Sequence, residues 1–236
     1  MSVVLAKFTL LCVLLFVTGY ALSALLFARR GLQLRGSSLQ LKIHTWIPIF
    51  AAVLIMAWGG RWATAAVLLA AALGICVDYA GRLSSLKGAA APVHGVLILT
   101  GLGALYFLAS GDATRLLAVW FLSVMSDVTA YFAGNFAGKH HLPEIFNRHK
   151  SWEGVMGQIA GAGIGFGMFL WVGALPFWLW LAVGLGSAVG DMMNSFVKRA
   201  GGFKDWSQNI PGHGGFVDRL SSLSYAAIIV VLLLRT

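Results

Sequence analysis

Carboxylates are scarce in this chain: 8 Asp and Glu stand among 236 residues, against 17 Lys and Arg. Charged residues of either sign reach only 11%, whereas about a quarter is usual for a soluble domain. With 59% of residues apolar, so few charges cannot cover one water-soluble core, and the same composition excludes a disordered chain or a long charged coiled coil. Cysteine is almost missing. Cys12 and Cys76 each sit inside an apolar run, which excludes a secreted disulfide scaffold and reads as buried thiols rather than a bridge or a metal pair. A net charge of +9 would suggest nucleic acid in a soluble protein. In a chain this apolar the bilayer is the expected solvent, no nucleic-acid partner is expected, and the placement of the charges says more than their sum.

What the chain has in abundance is long apolar runs. A membrane-crossing helix needs about 20 mostly apolar residues, and candidates fall at 3–28, 46–58, 62–79, 93–109, 116–136, 155–175, 177–196 and 216–234. The expected fold is an all-α, polytopic transmembrane bundle of about eight spans, seven and nine being the neighbouring counts. The second run is short, so the second and third form either a hairpin or one long broken helix. The first run could be a signal peptide, but Arg29, Arg30 and Arg35 follow it rather than precede it, the order of an uncleaved anchor. With the N-terminus outside, thirteen Lys and Arg fall in loops on one side and Lys7, Arg61, Arg115 and Arg235 on the other. That is the asymmetry of the positive-inside rule, and it predicts an inner (cytoplasmic) membrane protein with its polar segments facing the cytoplasm. Gly157, Gly161 and Gly165, and Gly186 with Gly190, recur at spacings that let helices approach closely in lipid.

Asp78, Asp112 and Glu144 lie at span ends or in loops, where a solvated role is expected. Asp127 and Asp191 lie within otherwise apolar runs, where an ionisable group is costly and faces a partner or a cavity. On a helix Asp127, Tyr131, Gly134 and Gly138 share one face, and so do Asp191, Ser195 and Lys198. Each aspartate leads into a polar segment, 135–154 and 197–215, which divides the chain into N-terminal spans over 1–110 and a C-terminal catalytic region over 111–236. Carboxylates without paired Cys or His suit a hard cation such as Mg²⁺, with a second cation an option. Lys150, Lys198, Arg199, Lys204 and Arg219 could neutralise a polyphosphate, and Gly212, Gly214 and Gly215 would let backbone N–H groups approach phosphate oxygens. His213 could be a base, a phosphate donor or a helix-start residue; His140, His141 and His149 have no zinc-ligand spacing and read as surface residues.

These residues carry a resemblance. Ser195-x-x-Lys198-Arg199, Lys204-Asp205, Pro211-Gly-His213-Gly214-Gly215 and Asp218-Arg219 stand at the spacing of the C-terminal motif of the phosphatidate cytidylyltransferases (CDP-diacylglycerol synthases). The segment 127–154 is similar to the family's preceding cytoplasmic segment, with Asp127-x-x-Ala-Tyr131, Gly134-x-x-x-Gly138-Lys139 and Lys150-Ser151-Trp-x-Gly154 in register. The resemblance covers roughly residues 127–223. It implies a multi-span enzyme that joins CTP and phosphatidate into CDP-diacylglycerol and pyrophosphate with Mg²⁺. By position it implies Asp191 and Asp218 as metal-binding and catalytic residues, with Lys150, Lys198 and Arg199 beside them. Asp127, Tyr131, Ser195, Lys204, His213, Gly214, Gly215 and Arg219 would be substrate-binding, and a homodimer is an option taken from related membrane enzymes. Where the family motif ends Asp-Arg-x-Asp this chain has Ser221, and Asn147-Arg148 replaces the family's Ser-Pro. Two alternatives follow from that departure: a transferase for another lipid phosphate or lipid alcohol, or a non-catalytic relative that binds or transports lipid.

Overall fold

The computed structural model of the chain describes residues 2–29, 31, 35–86, 88–147 and 150–234. Arg30, Lys87, Arg148 and Arg235, which enter the charge reading above, and His149, read as a surface residue, lie outside the described residues. Among the described residues there are eight α-helices and no strand: α1 Ser2–Arg29, α2 Ser38–Trp58, α3 Gly60–Arg82, α4 Ala90–Gly111, α5 Ala113–Ala137, α6 Trp152–Phe169, α7 Leu179–Ala200 and α8 Phe216–Leu234. They correspond one for one to the expected spans. α1 to α5 and α8 are long and apolar enough to cross a membrane. α6 and α7 fall short of that measure because they carry Glu153 and Gln158, and Asp191, Asn194, Lys198 and Arg199. The two helices least suited to lipid both bring polar groups into the bundle.

Two helix ends differ from expectation for local reasons. α2 starts at Ser38 rather than 46, because Ser37 accepts a hydrogen bond from the Gln40 N–H (3.1 Å) while Gln40 Oε1 reaches back to the Gly36 N–H (2.6 Å). This reciprocal cap satisfies amides that would otherwise be orphaned, so the polar turn through Lys42 and Thr45 joins the helix. α6 stops at Phe169 rather than 175: the Leu170 and Val172 N–H groups turn back to Phe166 and Phe169 carbonyls, and Pro176 cannot continue a helix. Between α2 and α3 the chain reverses at Gly60, whose φ of +66° is a glycine conformation. Thr64 then donates to the Met56 carbonyl (3.0 Å), so the two helices form a hairpin and not one broken rod.

Glycine sets the closest approaches. A methyl at Gly161 would fall 2.5 Å from the Met125 carbonyl oxygen, and Gly157 lies against Thr129 and Ala133, which binds α6 tightly to α5. Gly190 is packed on Ser221 and Ser222, and Gly186 on Ala226, joining α7 to α8. The two ends of the bundle are unlike. At one, Lys7 donates to the Trp171 carbonyl (3.2 Å) and lies over the indole ring. At the other, the start of α2, the end of α3, the 201–215 loop and the start of α8 converge, bringing Lys42, Arg82, Lys198, Arg199 and Arg219 to one cationic end.

Candidate active site

The cationic end holds two carboxylate clusters of different character. The first is open. Ser151 caps α6 by accepting from the Gly154 N–H (3.2 Å), and Gly134, Gly138 and Gly154 leave room for that cap between α5 and α6. Lys150, the residue before the cap, is thereby aimed at α7. Its Nζ lies 2.5 Å from Asp191 Oδ2 and 3.1 Å from the Asp191 carbonyl oxygen. The side chains are 24% and 35% exposed, so solvent or a substrate reaches both. Asp127 on α5 is exposed as well; Gln158 donates to its Oδ1 (3.3 Å), and Asp191, Arg219 and Ser222 complete its polar surroundings. Two carboxylates and an arginine from α5, α7 and α8, with a lysine from the segment just before α6, thus gather at one accessible place.

The second cluster is closed. The side chain of Asp218, in the first turn of α8, is 4% exposed; its Oδ1 takes the Lys198 ammonium (2.6 Å) and its Oδ2 accepts from the N–H groups of Trp206 (2.9 Å) and Gly215 (3.0 Å). The bond to Gly215 is the back half of a capping box. Gly215, just before the helix, has no side chain to supply the forward half, and Asp78 of α3 supplies it instead. Asp78 is 0% exposed. Its Oδ2 accepts from the Val217 N–H (3.0 Å) and its Oδ1 from Ser207 Oγ (2.6 Å) and Asn209 Nδ2 (3.1 Å). The solvated role expected of Asp78 is therefore corrected: the 207–217 segment folds over it, and the three hydrogen bonds it accepts cap or brace that segment. Negative charge at a helix N-terminus is favourable, which is why two buried aspartates are tolerated there.

This arrangement also locates the glycine-rich turn. Gly214 (φ +82°) and Gly215 are buried. The Gly215 N–H is committed to Asp218, and a methyl on Gly215 would strike Asp78 Oδ2. Both glycines stand close against carboxylates: a methyl on Gly214 would fall 2.8 Å from Asp218 Oδ2. His213 is half-buried. Its Nε2 lies 3.0 Å from the Lys42 carbonyl oxygen, so Nε2–H donates and the ring is held to the start of α2. Burial lowers its pKa from the ordinary histidine value. Thr45 donates to the Pro211 carbonyl (2.9 Å), and Arg82 donates to the carbonyls of Asp205 (2.8 Å) and Trp206 (2.9 Å). The N-terminal helices thus hold the loop that the C-terminal motif encodes.

Of the remaining expected residues, Arg219 and Lys204 are exposed and Ser195 is buried. Arg199 donates to the Phe203 carbonyl (3.2 Å) at the end of α7. Tyr131 is exposed, one turn from Asp127 on the same face of α5. Ser221 is 1% exposed and bonds back to the Val217 carbonyl (2.5 Å). Asp191 and Asp218 lie at the same end of the α7–α8 pair: Ser221 packs on Gly190, and Asp218 precedes Ser221 by about one helical turn. Among the described residues no three or more His, Cys, Asp and Glu side chains gather as a metal cluster. The donor set is carboxylate only, which fits a hard ion completed by substrate phosphates. Asp191 presents an accessible carboxylate to such an ion, whereas at Asp218 the ion would compete with Lys198 for Oδ1.

The structure is thus a bundle of apolar helices with an accessible carboxylate–lysine pair at its cationic end. The model of the Cytidylyltransferase family matches residues 2–236, and the chain belongs to that family. It is 33% identical over 216 residues to the phosphatidate cytidylyltransferase of Pseudomonas aeruginosa, covering 86% of this chain and 70% of that protein. It is 35% identical over 142 residues to that of Mycobacterium leprae, covering 57% and 45%. With that of Brucella abortus it shares 38% over 112 residues, covering 45% and 42%. The matches to the last two proteins thus span less than half of their length.

Proposed function

We propose that this chain transfers the cytidylyl group of CTP to phosphatidate, forming CDP-diacylglycerol and pyrophosphate at the cytoplasmic side of a bacterial inner membrane. The observation that carries the reading is the open Lys150–Asp191 pair, which shares its recess with Asp127 and Arg219 at the end of the bundle where the cations gather. A phosphate monoester has its second pKa near about 6, so the lipid phosphate is mostly a dianion at neutral pH and already nucleophilic. Its oxygen attacks the α-phosphorus; a new P–O bond forms as the α–β anhydride bond breaks, and pyrophosphate leaves with the electron pair. The protein's task is alignment and neutralisation rather than proton abstraction.

Lys150 trades Asp191 for a phosphate oxygen, at little cost because both side chains already meet solvent. Arg219, Lys204 and Arg199 supply the remaining positive charge, and Asp127 and Tyr131 line the approach on α5. Mg²⁺, held by Asp191 and reached by Asp218 in competition with Lys198, would neutralise the triphosphate. His213, Gly214 and Gly215 keep the loop and the start of α8 in place beside the recess. The test is to supply membranes containing the chain with CTP labelled at the α-phosphate and a panel of lipid phosphates. Label in the lipid fraction with phosphatidate is expected, and, when γ-labelled CTP is supplied in a parallel reaction, label in released pyrophosphate and none in lipid. Label that enters lipid only with another acceptor, or with none, contradicts the proposal.

A further inference from the structure

One cation of the N-terminal half reaches into the C-terminal motif. Arg82 ends α3, well before the 127–223 stretch that carries the motif residues, and among the described residues it forms no ion pair with a carboxylate. An arginine in the last turn of a helix is favourable there in any case, but this guanidinium is engaged with the 203–206 loop. Its Nη2 donates to the Asp205 carbonyl (2.8 Å), its Nε donates to the Trp206 carbonyl (2.9 Å), and its Cζ lies 4.8 Å from the centre of the Phe203 ring. Two donors of one rigid plane on two successive carbonyls fix a backbone direction, which the point charge of a lysine does less well.

That direction controls a single peptide group. The Asp205 carbonyl and the Trp206 N–H belong to one planar unit, and in a trans peptide they point to opposite sides. Arg82 holds one side, and the N–H on the other donates to Asp218 Oδ2 (2.9 Å). The 204–209 stretch is neither helix nor strand, so no regular ladder orients that peptide. The Trp206 ring has anchors of its own: Nε1 donates to Asn194 Oδ1 (2.7 Å), and the ring lies 4.3 Å from that of Tyr79. These place the residue without fixing the 205–206 peptide plane. A cation on the carbonyl also polarises the amide, which makes the opposite N–H a better donor. With Oδ2 taken by the N–H groups of Trp206 and Gly215, Oδ1 is the oxygen that meets Lys198 (2.6 Å).

We infer that Arg82 is a positioning residue: through the Asp205–Trp206 peptide group it sets which oxygen of Asp218 is offered to Lys198, or to a cation in its place. The inference rests on the cytidylyl-transfer reading for its effect on turnover.

The test assays membranes carrying the full chain with CTP and phosphatidate, and measures backbone hydrogen exchange of the purified chain in detergent. Arg82→Met is expected to lower kcat about tenfold or more, while KM for CTP moves less than about twofold. Exchange at the 204–207 amides is expected to quicken about tenfold or more in that variant, with the rest of the bundle unchanged. Arg82→Lys keeps the charge and one donor, and is expected to hold kcat within about threefold of the parent. Arg82→Gln keeps one donor and drops the charge, and is expected to fall between lysine and methionine. Parental kcat or parental exchange in Arg82→Met overturns the inference. So does a loss confined to KM, exchange that quickens equally throughout the bundle, or Arg82→Lys no better than methionine. Where Arg82→Met does not accumulate, the other two variants decide, and equal kcat in Arg82→Lys and Arg82→Gln overturns the inference. A parent chain that labels no lipid shows instead that the cytidylyl-transfer reading has failed, and the exchange rates then decide whether Arg82 holds the peptide.

Discussion

Asp191 and Asp218 lie at the same end of the same helix pair, yet their surroundings differ in kind. Asp191 is about a third exposed and holds one lysine that is itself reachable. Asp218, like Asp78 beside it, has its side chain shut from solvent and bound at both oxygens. A solvated ion pair costs little to open, because water or phosphate replaces the lost partner. A buried one leaves an uncompensated charge when broken. The difference separates residues free to exchange partners with a substrate from residues that hold the frame still, and it cuts across the sequence motif, which contains both.

Substitutions sharpen that contrast. The largest effect is expected from Asp78→Ala, which orphans Ser207, Asn209 and the Val217 amide; at about 1 kcal/mol or more for each, folded protein in detergent should fall sharply and its melting temperature with it. A variant that melts with the parent would show that the cluster is not a brace. Next, Asp191→Asn should cut cytidylyl transfer about a hundredfold or more while leaving the melting point close to that of the parent. Equal loss of stability and activity there would erase the distinction between the clusters. Lys150→Met should lower kcat/KM for CTP about tenfold, again with stability retained, and its activity should respond less to salt. The smallest effect concerns His213. Its pKa lies below the ordinary histidine value of about 6.5, so the unfolded chain binds more protons and stability declines as pH falls below that value. His213→Gln should flatten this acid limb of the melting-temperature profile, and an unchanged limb would point to other groups.

The sequence made the spans legible because apolar runs and the alternation of cations report the bilayer directly. The start of α2 was not, since a polar turn containing Lys42 and His44 reads as loop until Ser37 and Gln40 are seen to cap it. Asp127 and Asp191 were legible as exceptions within apolar runs, and Lys150 through its motif; that Lys150 meets Asp191 across 41 residues was not. Asp78 shows the limit most plainly. Next to a tyrosine at the end of a span it looks solvated, and its burial depends on a segment 129 residues later folding over it. Gly215 was legible as a close-approach glycine, but a glycine's neighbours are not written in the residue, and the neighbour that the fold supplies is the Asp78 carboxylate.

The central claim is that Asp191 belongs to the substrate and not to the frame. The direct measurement is the melting temperature of the purified parent and of Asp191→Asn in detergent, each with and without CTP and Mg²⁺. A ligand that binds the folded state raises the melting temperature. The account predicts that both chains melt together without nucleotide and that only the parent rises when CTP and Mg²⁺ are added. An equal rise in Asp191→Asn would contradict it.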